Sequence, residues 1–467
     1  MTSSSIRRVY NSLLWLGALV FSLSTGGISS AQLTVEQLIG SSVEAVGPQH
    51  EDIETAITRF RERDFAGART LLEDAKSKDP RIPPAGVLLA NMLIAANQLS
   101  LAFAELERVI KSDPRDPESY LLFGELAYQQ RRFADADLAF AKSLGLLRSF
   151  SANQKRQRAL SKRAYSGLAA VAEVREDWDT AKKYLAPLIK ADPADASLVT
   201  RMARAVFQLG EQQSSDDAKT RSRREAYQLL RELWTKDNSL TPPEITMGRL
   251  FENAGLRANA KQMMSNVVTQ DQRIETQLAV ASWAMDAGEL DLAQQCASNA
   301  LKANAQSVEA QLVSGLVARY DSDYLSARKA FEAAHLQSPS NLAAMLSLAV
   351  VLIEQPGNER IALEYAQMSV GIYSDLAQAS GREAAVTRAW ILFRRSKPSE
   401  AQQAVKQALN AGTVSAERSY YAALILLQQG GNWGTAKQLL QRALESNRAF
   451  PTRPKAEQLL ARLGDQQ

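Results

Sequence analysis

The feature that most constrains this chain is a small residue that returns about every 34 positions. Ala68, Ala102 and Ala136 are each 34 residues apart, and Phe65, Leu99 and Phe133 each stand three residues before one of them. The stretch Pro117 to Leu147 shows the unit most fully. Tyr120, Phe123, Gly124 and Ala127 lead into the polar turn Gln129 to Arg132, and Phe133, Ala136, Phe140 and Ser143 follow it. Large and small residues alternate at helical spacing on both sides of that turn. Two helices therefore form an antiparallel hairpin that closes up only where neither carries a bulky side chain. A period of this length marks a structural repeat that buries its apolar face against its neighbours.

The stations continue along the chain with two interruptions. Ala181 and Ala226 each lie 45 residues beyond the preceding station, so eleven residues have been added near 146–163 and again near 211–225. Eleven residues are close to three helical turns, a rotation of only about 20°, so added helix keeps its apolar face in register. The extra residues either lengthen helices or form a projecting loop. Ala260, Ala293, Ala327 and Ala362 then follow at 33, 34 and 35, and Ala401 and Ala436 after 39 and 35. The ninth and tenth repeats place Ala366 and Val405 where a larger side chain is usual, which predicts looser packing there. Asp79-Pro80 and Asp113-Pro114 close the first two repeats, because proline cannot continue a helix. The expectation is an all-α solenoid of about eleven helix pairs over 50–452, after a lead-in segment 32–49. A capping helix within 453–467 presents Leu459, Leu460 and Leu463.

Composition supports a fully folded chain, with 45% hydrophobic residues over 467 positions. Residues 1–31 carry Arg7 and Arg8, an apolar run from Leu13 to Leu23, and small residues at Ser29 and Ala31. That pattern is an export signal with cleavage after Ala31, and it predicts a periplasmic or secreted protein with no integral membrane span in the mature chain. Removing Arg7 and Arg8 from the 55 basic residues leaves 53 against 51 acidic ones, a net charge of +2. Nucleic acid is discounted as the main partner of so nearly neutral a chain. A single cysteine, Cys296, excludes an intrachain disulfide and reads as a buried, inert thiol.

The small-large-small spacing from His50 to Phe450 resembles the tetratricopeptide repeat family, and an exported bacterial member of it. The resemblance implies stacked helix pairs in a right-handed superhelix, the first helix of each pair lining a concave face that generally binds other proteins. One subset of the family grips acidic C-terminal tails with a lysine and an asparagine about a turn apart. Here Val87 stands where that lysine belongs beside Asn91, and Leu121 and Leu122 occupy the facing helix. That activity is not carried over.

Two sets of binding residues are candidates. On the concave face they are Tyr128, Arg204, Phe207, Arg249, Arg319 and Tyr320, aromatic and arginine side chains of the kind peptide-binding surfaces use, although Phe207 also fits a packing role. In the first insertion they are Lys155, Arg156 and Arg158, within a run from Arg148 to Arg163 that holds six cations and no acid. Those cations are either a solvated face or a docking patch for an acidic partner. The second insertion is basic too, with Lys219, Arg221, Arg223 and Arg224 beside Asp216 and Asp217. No catalytic or metal-ligating constellation is found. His50 and His335 lie far apart without His or Cys companions, and carboxylate pairs such as Glu51 with Glu54 or Glu105 with Glu107 read as solvated helix faces. No cofactor is expected.

The function expected is that of an exported scaffold or adaptor for protein or peptide partners, in an envelope assembly such as polysaccharide export or pilus biogenesis. The alternatives are an α-solenoid enzyme acting on cell-wall or polysaccharide substrates, and a self-associating structural protein. The export expectation is checked by intact mass of the protein from its native host. The mature N-terminus should be Gln32, and retention of residues 1–31 would overturn it.

Overall fold

The computed structural model describes residues 48–151, 153–428, 432–445 and 449–464. The export segment 1–31 and nearly all of the lead-in 32–49 lie outside the described residues. Among the described residues there are 23 helices and no strand. They fall into two compact units that divide between Pro243 and Glu244.

The first unit holds five hairpins. They are α1 (Pro48–Arg61) with α2 (Phe65–Lys78), α3 (Ala85–Ala95) with α4 (Leu99–Ser112), and α5 (Pro117–Gln129) with α6 (Phe133–Leu147). Then come α7 (Gln154–Val174) with α8 (Trp178–Ala191) and α9 (Ala196–Glu211) with α10 (Asp216–Lys236). The second unit adds six more: α11 (Pro243–Asn253) with α12 (Arg257–Gln270), α13 (Ile274–Ala287) with α14 (Leu290–Ala303), and α15 (Val308–Tyr320) with α16 (Tyr324–Gln337). They are followed by α17 (Leu342–Ile353) with α18 (Glu359–Ile372), α19 (Ala379–Arg394) with α20 (Pro398–Ala411), and α21 (Ala416–Gln428) with α22 (Trp433–Glu445). A last helix, α23 (Arg453–Gly464), packs on α22 through Ala456 and Leu463 and covers the end of the stack. Eleven pairs and a cap are the architecture that the repeat spacing predicts.

Most of the described hairpins turn by the same chemistry. In the third repeat Arg131 is left-handed, with φ 61°, and the Arg132 N–H donates to the Ala127 carbonyl at 2.8 Å. This is a Schellman motif, and its last residue is at once the N-cap of the next helix. Asn97, Glu176, Ser322 and Ser396 take the same left-handed station, two residues before the second helix of their pairs. Gly255 and Gly288 hold it in repeats six and seven, where the missing Cβ removes the steric cost that the other residues carry. Several helix starts are fixed by a side-chain cap. The Asp116 carboxylate accepts from Ser119 N–H at 2.7 Å, with Pro117 at the first helical position.

The small stations are where the helices cross. A Cβ on Gly124 would come within 2.8 Å of the Phe140 ring, and a Cβ on Gly315 would collide with Phe331 in the same way. Ala68, Ala102, Ala136, Ala181 and Ala226 are all fully buried. Ala366 and Val405 are fully buried too, in a cluster that also takes in Trp390, Tyr420 and Tyr421, so larger side chains from neighbouring helices accompany the small ones where looser packing was expected. Both insertions lengthen helices. α7 and α10 are each 21 residues long, where the matching helices α5 and α8 have 13 and 14. Ala136→Leu should therefore overpack the crossing of α5 and α6 and destabilise the first unit by about 1–3 kcal/mol. Thermal unfolding checks this, and an unchanged melting temperature would mean that Ala136 does not sit at the crossing.

Candidate functional site

The cations of the first insertion divide between two faces of α7. Arg156 lies one turn before Leu160 and two before Ala164, on the face that packs, and it is only 5% exposed. Its guanidinium donates to Glu118 at 2.8 Å and to Asp116 at 3.0 Å, and its head group lies over the Phe150 ring at 5.3 Å. Burial alone would lower its basicity, but the two carboxylates outweigh that and hold it charged. Burial pushes the Asp116 carboxyl up, with Arg156 pulling the other way. Arg156 is thus not part of an exposed docking patch, as its place in a basic run suggested.

The same arrangement recurs along the hairpin. Arg163 makes two bonds to Glu125, at 2.9 and 2.6 Å, and Arg175 reaches Asp137. All three arginines find an acid 38 residues upstream. Helix pairs stack by translation, so one offset serves every rung between α5 and α7 or their flanks. Lys162 is exposed, with Asp195 at 3.6 Å. The expectation of cations without a nearby acid fails because the acids lie one repeat away, outside the window in which charge was counted. What remains exposed with no ion pair among the described residues is Arg148, Lys155 and Arg158.

In the first unit α5, α7 and α9, the helices expected to line the concave face, bring Tyr128 and Arg204 within electrostatic reach of each other. Tyr128 is half-buried, packs edge-on against Phe133 at 5.4 Å, and has its phenol pushed up to about 12 by burial. Arg204 is half-buried over the Trp178 ring at 5.3 Å, and burial lowers its guanidinium. Beside it lies Arg201, which the sequence reading missed. It is buried, bound to Glu173 at 2.8 Å and to Ser166 Oγ at 3.0 Å. Phe207 is fully buried and serves the core, which removes it from the concave surface.

In the second unit Arg249 is half-buried, and desolvation lowers its guanidinium. Arg319 is buried instead of lining an open groove. It donates to Glu417 at 2.7 Å and lies 3.5 Å from the Tyr421 hydroxyl, partners about a hundred residues further on. Its neighbour Tyr320 is half-buried, and burial raises its phenol. Nothing in the repeat spacing pointed to Glu417, because the contact joins helices three repeats apart.

Elsewhere the chemistry is quiet. Among the described residues no three His, Cys, Asp or Glu side chains cluster as a metal site would require, and no helix is long and apolar enough to cross a membrane. Cys296 is fully buried and its thiol is pushed up to about 12. Glu105, one of the carboxylates weighed as an acid or base, is buried in an ion pair with Arg69.

The division of α7 generates a stability prediction. Arg156→Ala should leave Asp116 and Glu118 buried without a counter-ion and cost about 3–5 kcal/mol. Lys155→Ser and Arg158→Ser should leave the melting temperature within error. Chemical denaturation of Arg156→Ala and thermal unfolding of the two serine variants check these outcomes.

Family models agree with this fold. A tetratricopeptide repeat model matches residues 59–122, and a second model of the same description matches 312–377 and 386–454. A search of curated proteins returned no match. Among solved structures, yeast Tom70 is 12% identical over 90% of this chain and 96% of its own, with a TM-score of 0.40. A tetratricopeptide repeat protein from Parabacteroides merdae is 15% identical over 65% and 98%, with a TM-score of 0.38. A thermophilic one from Thermus thermophilus is 19% identical over 41% and 98%, with a TM-score of 0.34. With helix pairs throughout and family models matching in both units, this chain is one that carries tetratricopeptide repeats.

Proposed function

We propose that this protein is an exported scaffold that docks an acidic partner protein on the exposed cations Arg148, Lys155 and Arg158. The single observation that carries the reading is the contrast on α7. Its packed-side arginines are matched to acids, whereas Lys155 and Arg158 project from the other side without an ion pair. Nor does Lys155 serve the helix, since a cation in the first turn opposes the positive end of its dipole. The use of these exposed cations is accounted for by a ligand of opposite charge, which such a patch steers and holds in a salt-dependent way. The N-terminal export signal supports a site of action in the cell envelope, in an assembly such as polysaccharide export or pilus biogenesis.

A second reading rests on Arg204. Arg156, Arg163 and Arg201 each bind a carboxylate, while Arg204 faces Trp178 with no carboxylate at bonding distance among the described residues. An acidic group of a partner on the concave side would supply one, with Tyr128 as a neighbouring hydrogen-bonding group.

The two readings separate by mutation. Binding of a synthetic Asp/Glu-rich peptide to the mature chain should weaken about tenfold at low salt in the Lys155→Ser/Arg158→Ser double variant, if each exposed pair contributes near the upper end of its usual range. Its salt dependence should flatten. Fluorescence anisotropy across a salt series measures both. A double variant that binds as the parent does, together with loss of binding in Arg204→Ala, would transfer the site to the concave face.

A further inference from the structure

We propose that the second unit is a closed two-state element, held shut by a latch of two contacts that join repeats too far apart to touch through ordinary stacking. In a helical solenoid each pair meets its sequence neighbours, and the stack bends where those interfaces give. Here two contacts bypass that order. The first is Arg319 on α15 with Glu417 and Tyr421 on α21, all buried. Arg418 supports it by holding Glu417 at 2.7 Å, with Thr387 of α19 on its other side at 3.2 Å. The second is a backbone bond from Ala449 N–H, just before α23, to the Asp286 carbonyl of α13 at 3.0 Å. Ala449 also lies 3.5 Å from where a Gly288 Cβ would stand, at the left-handed end of α13.

Beside the first contact lies an aromatic wall. Trp390 of α19 stacks on Tyr421 with ring centres 4.5 Å apart and planes 10° apart, and Phe393 stacks on its flank at 5.7 Å. Trp390 is only 7% exposed, covered by Phe393 of its own helix and by Tyr421 of the next pair, so the wall backs the Glu417 side of the latch. The charge pair suits a reversible latch, because the cost of desolvating Arg319 and Glu417 offsets most of their attraction, while removal of one partner leaves the other buried and unpaired. The closed state thus has a modest net gain and a sharp dependence on both groups. This inference does not depend on the docking reading of the first unit.

Hydrogen–deuterium exchange on the full mature chain tests it. In Glu417→Gln, exchange should rise more than about tenfold in peptides covering 312–320 and 416–426, and the same opening should appear at 449–453, because the two contacts act together. Peptides covering α3 and α4 in the first unit should not change. The paired replacement Arg319→Met/Glu417→Met removes both charges and should restore protection at both points. If Glu417→Gln disturbs the second unit throughout, the parent chain decides: the two latch segments should open with one common rate, faster than α17. Exchange that rises at α21 while 449–453 stays protected, or separate opening rates in the parent, would overturn the latch and leave two independent packing contacts.

Discussion

The close approach of two helices at a residue without bulk is the contact on which everything else in this protein rests. Where Gly124 meets Phe140, the ring occupies the volume that a Cβ would need. The aromatic is gripped by backbone, and the spacing of the pair is set by the ring's thickness. Repeating that contact at a near-constant period makes each hairpin a translated copy of the last. Translation makes the further contacts regular: in most of the described hairpins a left-handed residue falls two positions before the second helix, and the ion pairs of repeats three and four share one offset.

That regularity explains what was legible in the sequence and what was not. Small and large stations are local, at offsets of three, twelve and sixteen residues, so the helix pairs, the capping helix and the places of the two insertions could be read from one strand of text, while the choice between longer helices and a projecting loop was settled only by α7 and α10. Charge partners are one repeat away. Arg156 looked free because Glu118 is 38 residues upstream, yet a local signal was present: Arg156, Leu160, Ala164 and Gly167 fall on one helical face, which marks the arginine as buried. Phe207 carried a similar mark, four residues after the fully buried Ala203. The Arg319 to Glu417 contact had no such signal, since it depends on how strongly successive pairs curve.

The buried ion pairs are better understood as alignment than as stabilisation. Each arginine taken out of water costs much of what its carboxylate returns, so the net gain is small. A slip of one residue between α5 and α7, however, would strand Arg156 and Arg163 together, away from Glu118 and Glu125. Two rungs at the same offset therefore penalise wrong registers at the place where an insertion has made α7 longer than its neighbour. Apolar side chains alone tolerate such a slip more readily, because hydrophobic contact has no direction.

The two units use the same hairpin to opposite ends. In the first, the charges of α7 are consumed on one side and left exposed on the other, one residue apart in sequence but about 100° apart around the helix. Lengthening α7 carries Lys155 and Arg158 toward its start, at the end of the hairpin away from the Schellman turn, where the loop bearing Arg148 adds a third cation. In the second, the inward residues meet one another. Arg319, Glu417, Tyr421 and Trp390 come from first helices of three different pairs, and their side chains satisfy across the stack what a ligand would otherwise supply. A repeat whose inner face binds its own chain has that face occupied until the contact is broken. In the first unit the surface that stacking leaves unmatched is the set of cations that translation did not pair, which is why the proposed docking site lies there.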